Sequence, residues 1–283
     1  MAKHYEALQR AEEERRRKMA GGAAPAAPVT AVEWDTTPAT APKRKSGLLS
    51  RLLASRRADA QLDSTNERNK RRIALLQPES FAAEQYRTLR GRIDSISTQR
   101  PIKTIAVTSA NPDEGKSTSS INLAAVTSMS VGRKVLLMDC DLRRPKIHKT
   151  LGIDPTTGLA EVLLGQSTLD EAVVNVEGLT LDLLPVRTPP SNPSELLAST
   201  EMRKLLEEAC QRYDQVILDT PACLGLPDAK TVSELCDGII MVVRADVTPQ
   251  QDIQMTLEIL DRKLLLGLLL NGAETNRQQY GYY

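Results

Sequence analysis

The chain has 283 residues, 41% apolar and 26% charged, a globular balance suited to one large α/β domain with appendages or to two small domains. Its formal charge of +1 hides an asymmetry: through Leu76 there are 16 Lys and Arg against 9 Asp and Glu, and beyond it 21 against 27. A basic leader on a mildly acidic body assigns any contact with an anionic surface to the leader and argues against a nucleic-acid-binding body.

The N-terminus, MAKHYEALQRAEEERRRK, has no apolar signal core, and no apolar run approaches the ~18 residues of a membrane span. A cytoplasmic chain is expected. Residues 3–18 suit a charged, solvated helix, with Glu12–Glu14 spaced to pair with Arg15–Lys18. Gly21 to Pro42, rich in Ala, Pro and Thr, is a linker. Residues 43–57 then place Leu48, Leu49, Leu52 and Leu53 on one stripe beside six basic residues and no acid. Such a segment suits an anionic membrane surface; docking on the protein, or no fixed structure, are the alternatives.

The folded body is expected from Ile73. Phe81, Tyr86, Leu89, Ile93 and Ile96 keep a helical spacing within 79–96. Beyond Pro101, short apolar runs at Thr104–Thr108, Val135–Met138, Leu181–Pro185, Val216–Leu218, Gly238–Val243 and Leu264–Leu270 alternate with helical stretches at 116–130, 194–212, 228–235 and 249–262. That alternation predicts an α/β fold whose mostly parallel sheet is covered by helices on both faces.

The first of these strands leads into Ala110-x-x-x-x-Gly115-Lys116-Ser117, a P-loop pattern with Ala at its first position. In such a loop backbone N–H groups and the helix dipole receive phosphates, and Gly115 lets the backbone approach closely. Lys116 is expected to reach the β- and γ-phosphates, and the Ser117 hydroxyl to ligate Mg²⁺ with Thr118 as its neighbour. Two later strands end in carboxylates, Asp139 with Asp141, and Asp219 before Thr220-Pro221. A lone aspartate there would be a loop cap. Several of them beside a P-loop point to the ligand-binding rim of the sheet. Asp219 fits a Mg²⁺ carboxylate. Asp139 and Asp141, two residues apart, point to opposite sides of an extended backbone and so have different tasks.

Together, the P-loop, the apolar-D-x-D-x-R run ending at Arg143 and the apolar-D-T-P run resemble the bacterial tyrosine kinases of capsule and exopolysaccharide export, from about Glu79 onward. The resemblance implies an autophosphorylating P-loop tyrosine kinase that uses ATP and Mg²⁺. It assigns Gly115, Lys116, Ser117 and Thr118 to the nucleotide, Ser117, Asp139 and Asp219 to the metal, and Asn271 to adenine. Lys116 acts in catalysis with Asp139, the preferred acceptor of the tyrosine proton, and Asp141 as the alternative. Glu84-x-x-Arg87-x-x-Arg90 matches an oligomerisation element, implying a homo-oligomer that can be ring-like. Three of the six tyrosines, Tyr280, Tyr282 and Tyr283, crowd the last four residues as expected phosphoacceptors. The tail from Asn271 could reach roughly 40 Å, enough to enter a neighbour's site. The implied domains are a leader (1–72), a kinase body (73–271) and a tail (272–283). The implied partners are a membrane-embedded chain-length determinant protein that activates the kinase, and a cognate tyrosine phosphatase. Nucleic acid is not among them. The place of work is the inner face of the cell membrane.

The rival reading is an ATPase switch of the chromosome-partition or division-site type, which shares these elements. Those proteins usually carry a second lysine early in the P-loop, where this chain has Asn111, Pro112 and Asp113. A cluster-carrying electron-transfer ATPase would need cysteines in a ligand pattern, and Cys140, Cys210, Cys223 and Cys236 show none.

Overall fold

A computed structural model describes residues 72–273. The expected helix at 3–18, the basic segment at 43–57 and the tyrosines Tyr280, Tyr282 and Tyr283 lie outside the described residues. A one-turn helix α1 (Ile73–Leu76) precedes α2 (Phe81–Ser97), which opens where the Ser80 side chain accepts the Ala83 N–H. Strand β1 (Thr104–Ser109) then feeds α3 (Lys116–Ser128), followed by β2 (Val135–Asp139). Three short helices, α4 (Ile147–Leu151), α5 (Leu159–Leu163) and α6 (Leu169–Ala172), lead to β3 (Val174–Asn175) and β4 (Leu181–Leu184). The rest is α7 (Pro193–Leu197), α8 (Thr200–Arg212), β5 (Gln215–Asp219), α9 (Asp228–Ser233), β6 (Gly238–Arg244), α10 (Gln250–Ile259) and β7 (Leu265–Asn271).

The strands form one sheet in the order β3-β4-β2-β5-β1-β6-β7, parallel except where β3 pairs antiparallel with β4. The central strands β1, β2 and β5 are buried along their whole length because both faces are covered. Ile105 and Val107 of β1 face Ile121, Ala124 and Ala125 of α3 and, beyond them, Ile93 of α2. Ala106, between them, belongs to the opposite core with Leu136, Leu218 and Met202, Leu205 and Ala209 of α8. Strand β1 therefore delivers its C-terminal end, and the loop after it, to the middle of the rim.

Two expectations change. The helix predicted over 194–212 is two helices, because Ser199 caps α8 by accepting the Met202 N–H after α7 has ended. The antiparallel β3 was not anticipated; two residues are too few for an alternation to show.

Candidate active site

The loop between β1 and α3 is shaped by a glycine and a buried acid. Gly115 takes φ +101°, and a Cβ there would fall 2.0 Å from Asn271 Nδ2, so only glycine fits. Asn271, last residue of β7, donates from Nδ2 to the Glu114 carbonyl at 3.0 Å. It thus braces the loop from the far end of the sheet while lining the same cleft of about 590 Å³ as Gly115, Lys116, Ser117 and Thr118. Glu114 is buried, 3% exposed. Its Oε2 accepts the Asn111 N–H at 3.0 Å and its Oε1 the Thr248 hydroxyl at 2.7 Å. Asn111 Nδ2 in turn donates to Asp252 of α10 at 2.7 Å. Sequence reasoning missed this belt. Its one local hint is an acid beside the P-loop glycine.

Lys116 opens α3 and is 8% exposed. Its Nζ lies 3.2 Å from Asp141 Oδ2. Burial alone would lower its proton affinity, but the charges of Asp219, Asp141 and Asp139 outweigh that, so it is held above its ordinary value and stays cationic. Asp139 and Asp219 are register partners on adjacent strands. Asp219 accepts the Ser120 hydroxyl at 3.0 Å and is hydrogen-bonded by Ser117. Burial raises its proton affinity, and Lys116 and the two hydroxyls hold that rise in check. Among the described residues no ion pair reaches Asp139. Its oxygens accept the backbone N–H groups of Asp141 (3.2 Å) and Ile147 (3.3 Å). Burial, then the Asp219 charge, pushes it well above the ordinary carboxylate range. Asp141 faces other partners, Lys116 on Oδ2 and the Arg144 N–H on Oδ1 at 3.0 Å.

A Mg²⁺ ion fits this donor set. Ser117 and Asp219 are already in contact, and buried carboxylates of raised proton affinity, Asp139 beside Asp219, are what a cation would return to the ionised form. No three carboxylate, histidine or cysteine side chains among the described residues form a metal cage.

The other expected residues lie elsewhere. Arg143 stays exposed and donates from Nε to Asp228 at 2.8 Å and from Nη2 to Ser194 at 2.8 Å, while Ser194 donates to Asp228 at 2.5 Å. Sequence reasoning also missed Asp228, which is fully buried. In α2, Arg87 bonds Glu84 at 2.7 Å and the Pro78 carbonyl at 2.7 Å. Arg90 donates to the Val126 carbonyl of α3 at 2.6 Å.

A strand-loop-helix anion site at the centre of a parallel sheet, with carboxylates at the ends of neighbouring strands, defines a P-loop nucleotide-binding domain. Residues 102–262 match the family model described as an AAA domain. The chain is 41% identical over 214 residues to the tyrosine-protein kinase YwqD of Bacillus subtilis (strain 168), a match that covers 75% of this chain and 90% of that one. It is 33% identical to the succinoglycan biosynthesis transport protein ExoP of Rhizobium meliloti (strain 1021), covering 75% of this chain and 29% of that longer protein. Among solved structures, the kinase domain of the Escherichia coli tyrosine kinase ETK superposes with a TM-score of 0.68 at 32% identity, covering 75% of this chain and 85% of that one. The chain belongs to the bacterial tyrosine-protein kinase family. The division-site protein MinD of Pyrococcus horikoshii OT3 shares the fold alone, with a TM-score of 0.51 at 24% identity over 62% of this chain and 72% of that one.

Proposed function

We propose that this protein transfers the terminal phosphoryl group of Mg·ATP to Tyr280, Tyr282 and Tyr283 of its own tail, and so regulates capsule or exopolysaccharide polymerisation and export. The observation that carries this reading is the grouping of a buried cation, Lys116, with Asp139, Asp141 and Asp219, beside Ser117 and on the P-loop rim.

Each residue has a task in that reading. Lys116 compensates charge on the phosphates, and Ser117 and Asp219 hold the metal, which supplies further charge neutralisation. Asp139 takes the tyrosine proton. A carboxylate is ordinarily a weak base for a phenol, but a loose transition state asks mainly for positioning and charge compensation, which Asp139 supplies from the end of β2. Asp141 is less suited, because its charge is spent on Lys116. In this reading Asn271, which lines the cleft and braces the loop, also meets the base of the nucleotide.

Family membership supports a proposed setting. The proposed assembly is a homo-oligomer in which one chain's tail reaches a neighbour's site. A membrane-embedded chain-length determinant protein activates it at the inner face of the cell membrane, and a tyrosine phosphatase resets it. No helix among the described residues is long and apolar enough to cross a membrane. The test is peptide mapping by mass spectrometry after incubating the full chain with Mg·ATP. Phosphate on residues 280–283 is the expected outcome, and phosphate mainly on Tyr5, Tyr86 or Tyr213 would remove the tail as substrate. Tyr213 is buried with its hydroxyl bonded to Asp182 at 2.8 Å, and Tyr86 packs against the core beside α3, so neither is presented for in-line attack.

A further inference from the structure

The mouth of the cleft carries charges that the site described above leaves unused. Asp113 lies within the P-loop itself, at φ +61°. Lys146, from the segment between β2 and α4, places Nζ 2.9 Å from Asp113 Oδ1. Arg244, at the end of β6, directs Nη1 to the Asp113 carbonyl at 3.4 Å. All three line the cleft that holds Lys116 and Ser117. An acid in a loop whose amides receive a polyphosphate would repel that ligand. Here two cations from separate elements sit against it.

The side chains of this pair are 43% (Lys146) and 74% (Asp113) exposed, so water screens their attraction and the bond exchanges readily. Lys116, by contrast, is buried against Asp141. A terminal phosphate offers a lysine more charge and stronger hydrogen bonds than one solvated carboxylate does. Lys146 also reaches the mouth on a flexible four-carbon stem, the property of a lysine that changes partners.

We propose that Lys146 is a specificity-determining residue that leaves Asp113 for the terminal phosphate of a nucleoside triphosphate, so that the site tells a triphosphate from a diphosphate. Arg244 supports it from the other side of Asp113. The inference rests on the nucleotide-binding reading of the P-loop. It has a consequence for the acceptor carboxylate, because Lys146 directly precedes Ile147, whose N–H holds Asp139. The segment that carries the cation also carries that hydrogen bond.

The test is calorimetric titration of the full chain, in Mg²⁺, with a non-hydrolysable ATP analogue and separately with ADP. Lys146→Gln should weaken the analogue about tenfold, the worth of one charge-assisted hydrogen bond, and ADP by less than about twofold. Lys146→Arg should restore most of the difference, and Asp113→Asn should tighten the analogue more than ADP. Equal weakening of both ligands by Lys146→Gln, or no weakening of either, would overturn the inference and leave the nucleotide site standing. A wild-type chain that binds neither ligand would overturn the nucleotide reading itself.

Discussion

Two lysines face the same cleft and are held in opposite ways. Lys116 is 8% exposed, with Asp139, Asp141 and Asp219 all acting on its charge. Lys146 stands at the mouth against a single exposed aspartate. In the interior, where water cannot compensate, the cation and its carboxylates depend on one another, and losing either leaves an unbalanced buried charge. At the mouth water compensates, so the pair can part at little cost. In the proposed reaction the fixed charge serves the chemistry that every turnover shares, and the exchangeable charge is free to respond to what is bound.

The largest expected effect breaks the buried side of this comparison. Lys116→Met should lower tyrosine phosphorylation at least about a hundredfold, because the phosphates lose their main protein cation. Asp219→Asn should fall similarly by weakening the metal site. Phosphorylation at wild-type level in either variant, measured by quantitative mass spectrometry, would mean that the chemistry lies elsewhere.

Asp139→Asn sharpens the comparison by separating proton acceptance from binding. Transfer should fall about a hundredfold while nucleotide affinity stays within about threefold. A pH signature accompanies it. Burial, and then the Asp219 charge, raises the folded-state proton affinity of Asp139 above the ordinary value of 3.8. The folded chain therefore binds this proton more tightly than the unfolded chain. Its contribution to stability is fully present below 3.8 and is lost as pH rises through the folded value. Thermal melts across that window should show a downward slope with pH in the wild-type chain and a flatter one in Asp139→Asn. Parallel slopes would show that Asp139 is not the buried proton store.

Smaller effects are expected in α2, where the charges are tied to the body of the same chain. Arg90→Ala should cost about 1 kcal/mol in denaturant unfolding, since it frees the Val126 carbonyl near the end of α3. Arg87→Ala should cost about half that or less, its pair with Glu84 being partly solvated. Light scattering on the double variant decides whether these side chains also serve an interface. A drop in assembly mass supports the oligomerisation element, and an unchanged mass assigns both arginines to intramolecular packing alone.

What was legible in the sequence follows from how local each signal is. The P-loop and the strand-end aspartates are contiguous patterns, and β1, β2, β5 and β6 announce themselves as apolar runs because helices cover both faces. The belt around Glu114 joins Asn111 to Thr248 and Asp252, more than 130 residues away in the chain, and no spacing rule connects them. Arg143 was recognised as a basic position, but its partners Asp228 and Ser194 belong to α9 and α7, brought to it only by the packed fold. Helices α4 to α6, at four or five residues each, are too short for a helical period to emerge. The mouth pair has the same origin: Asp113 read as the absence of a lysine, and only the fold supplies Lys146 beside it.

The most direct test of the central claim, phosphoryl transfer to tyrosine by this site, is intact-mass measurement of the purified full chain after Mg·ATP, with and without prior tyrosine-phosphatase treatment. Phosphatase-treated chain should gain mass in whole steps of one phosphate, up to three, and Lys116→Met should gain none. A wild-type chain that consumes ATP yet shows no phosphate steps would contradict the kinase account and leave a P-loop ATPase in its place.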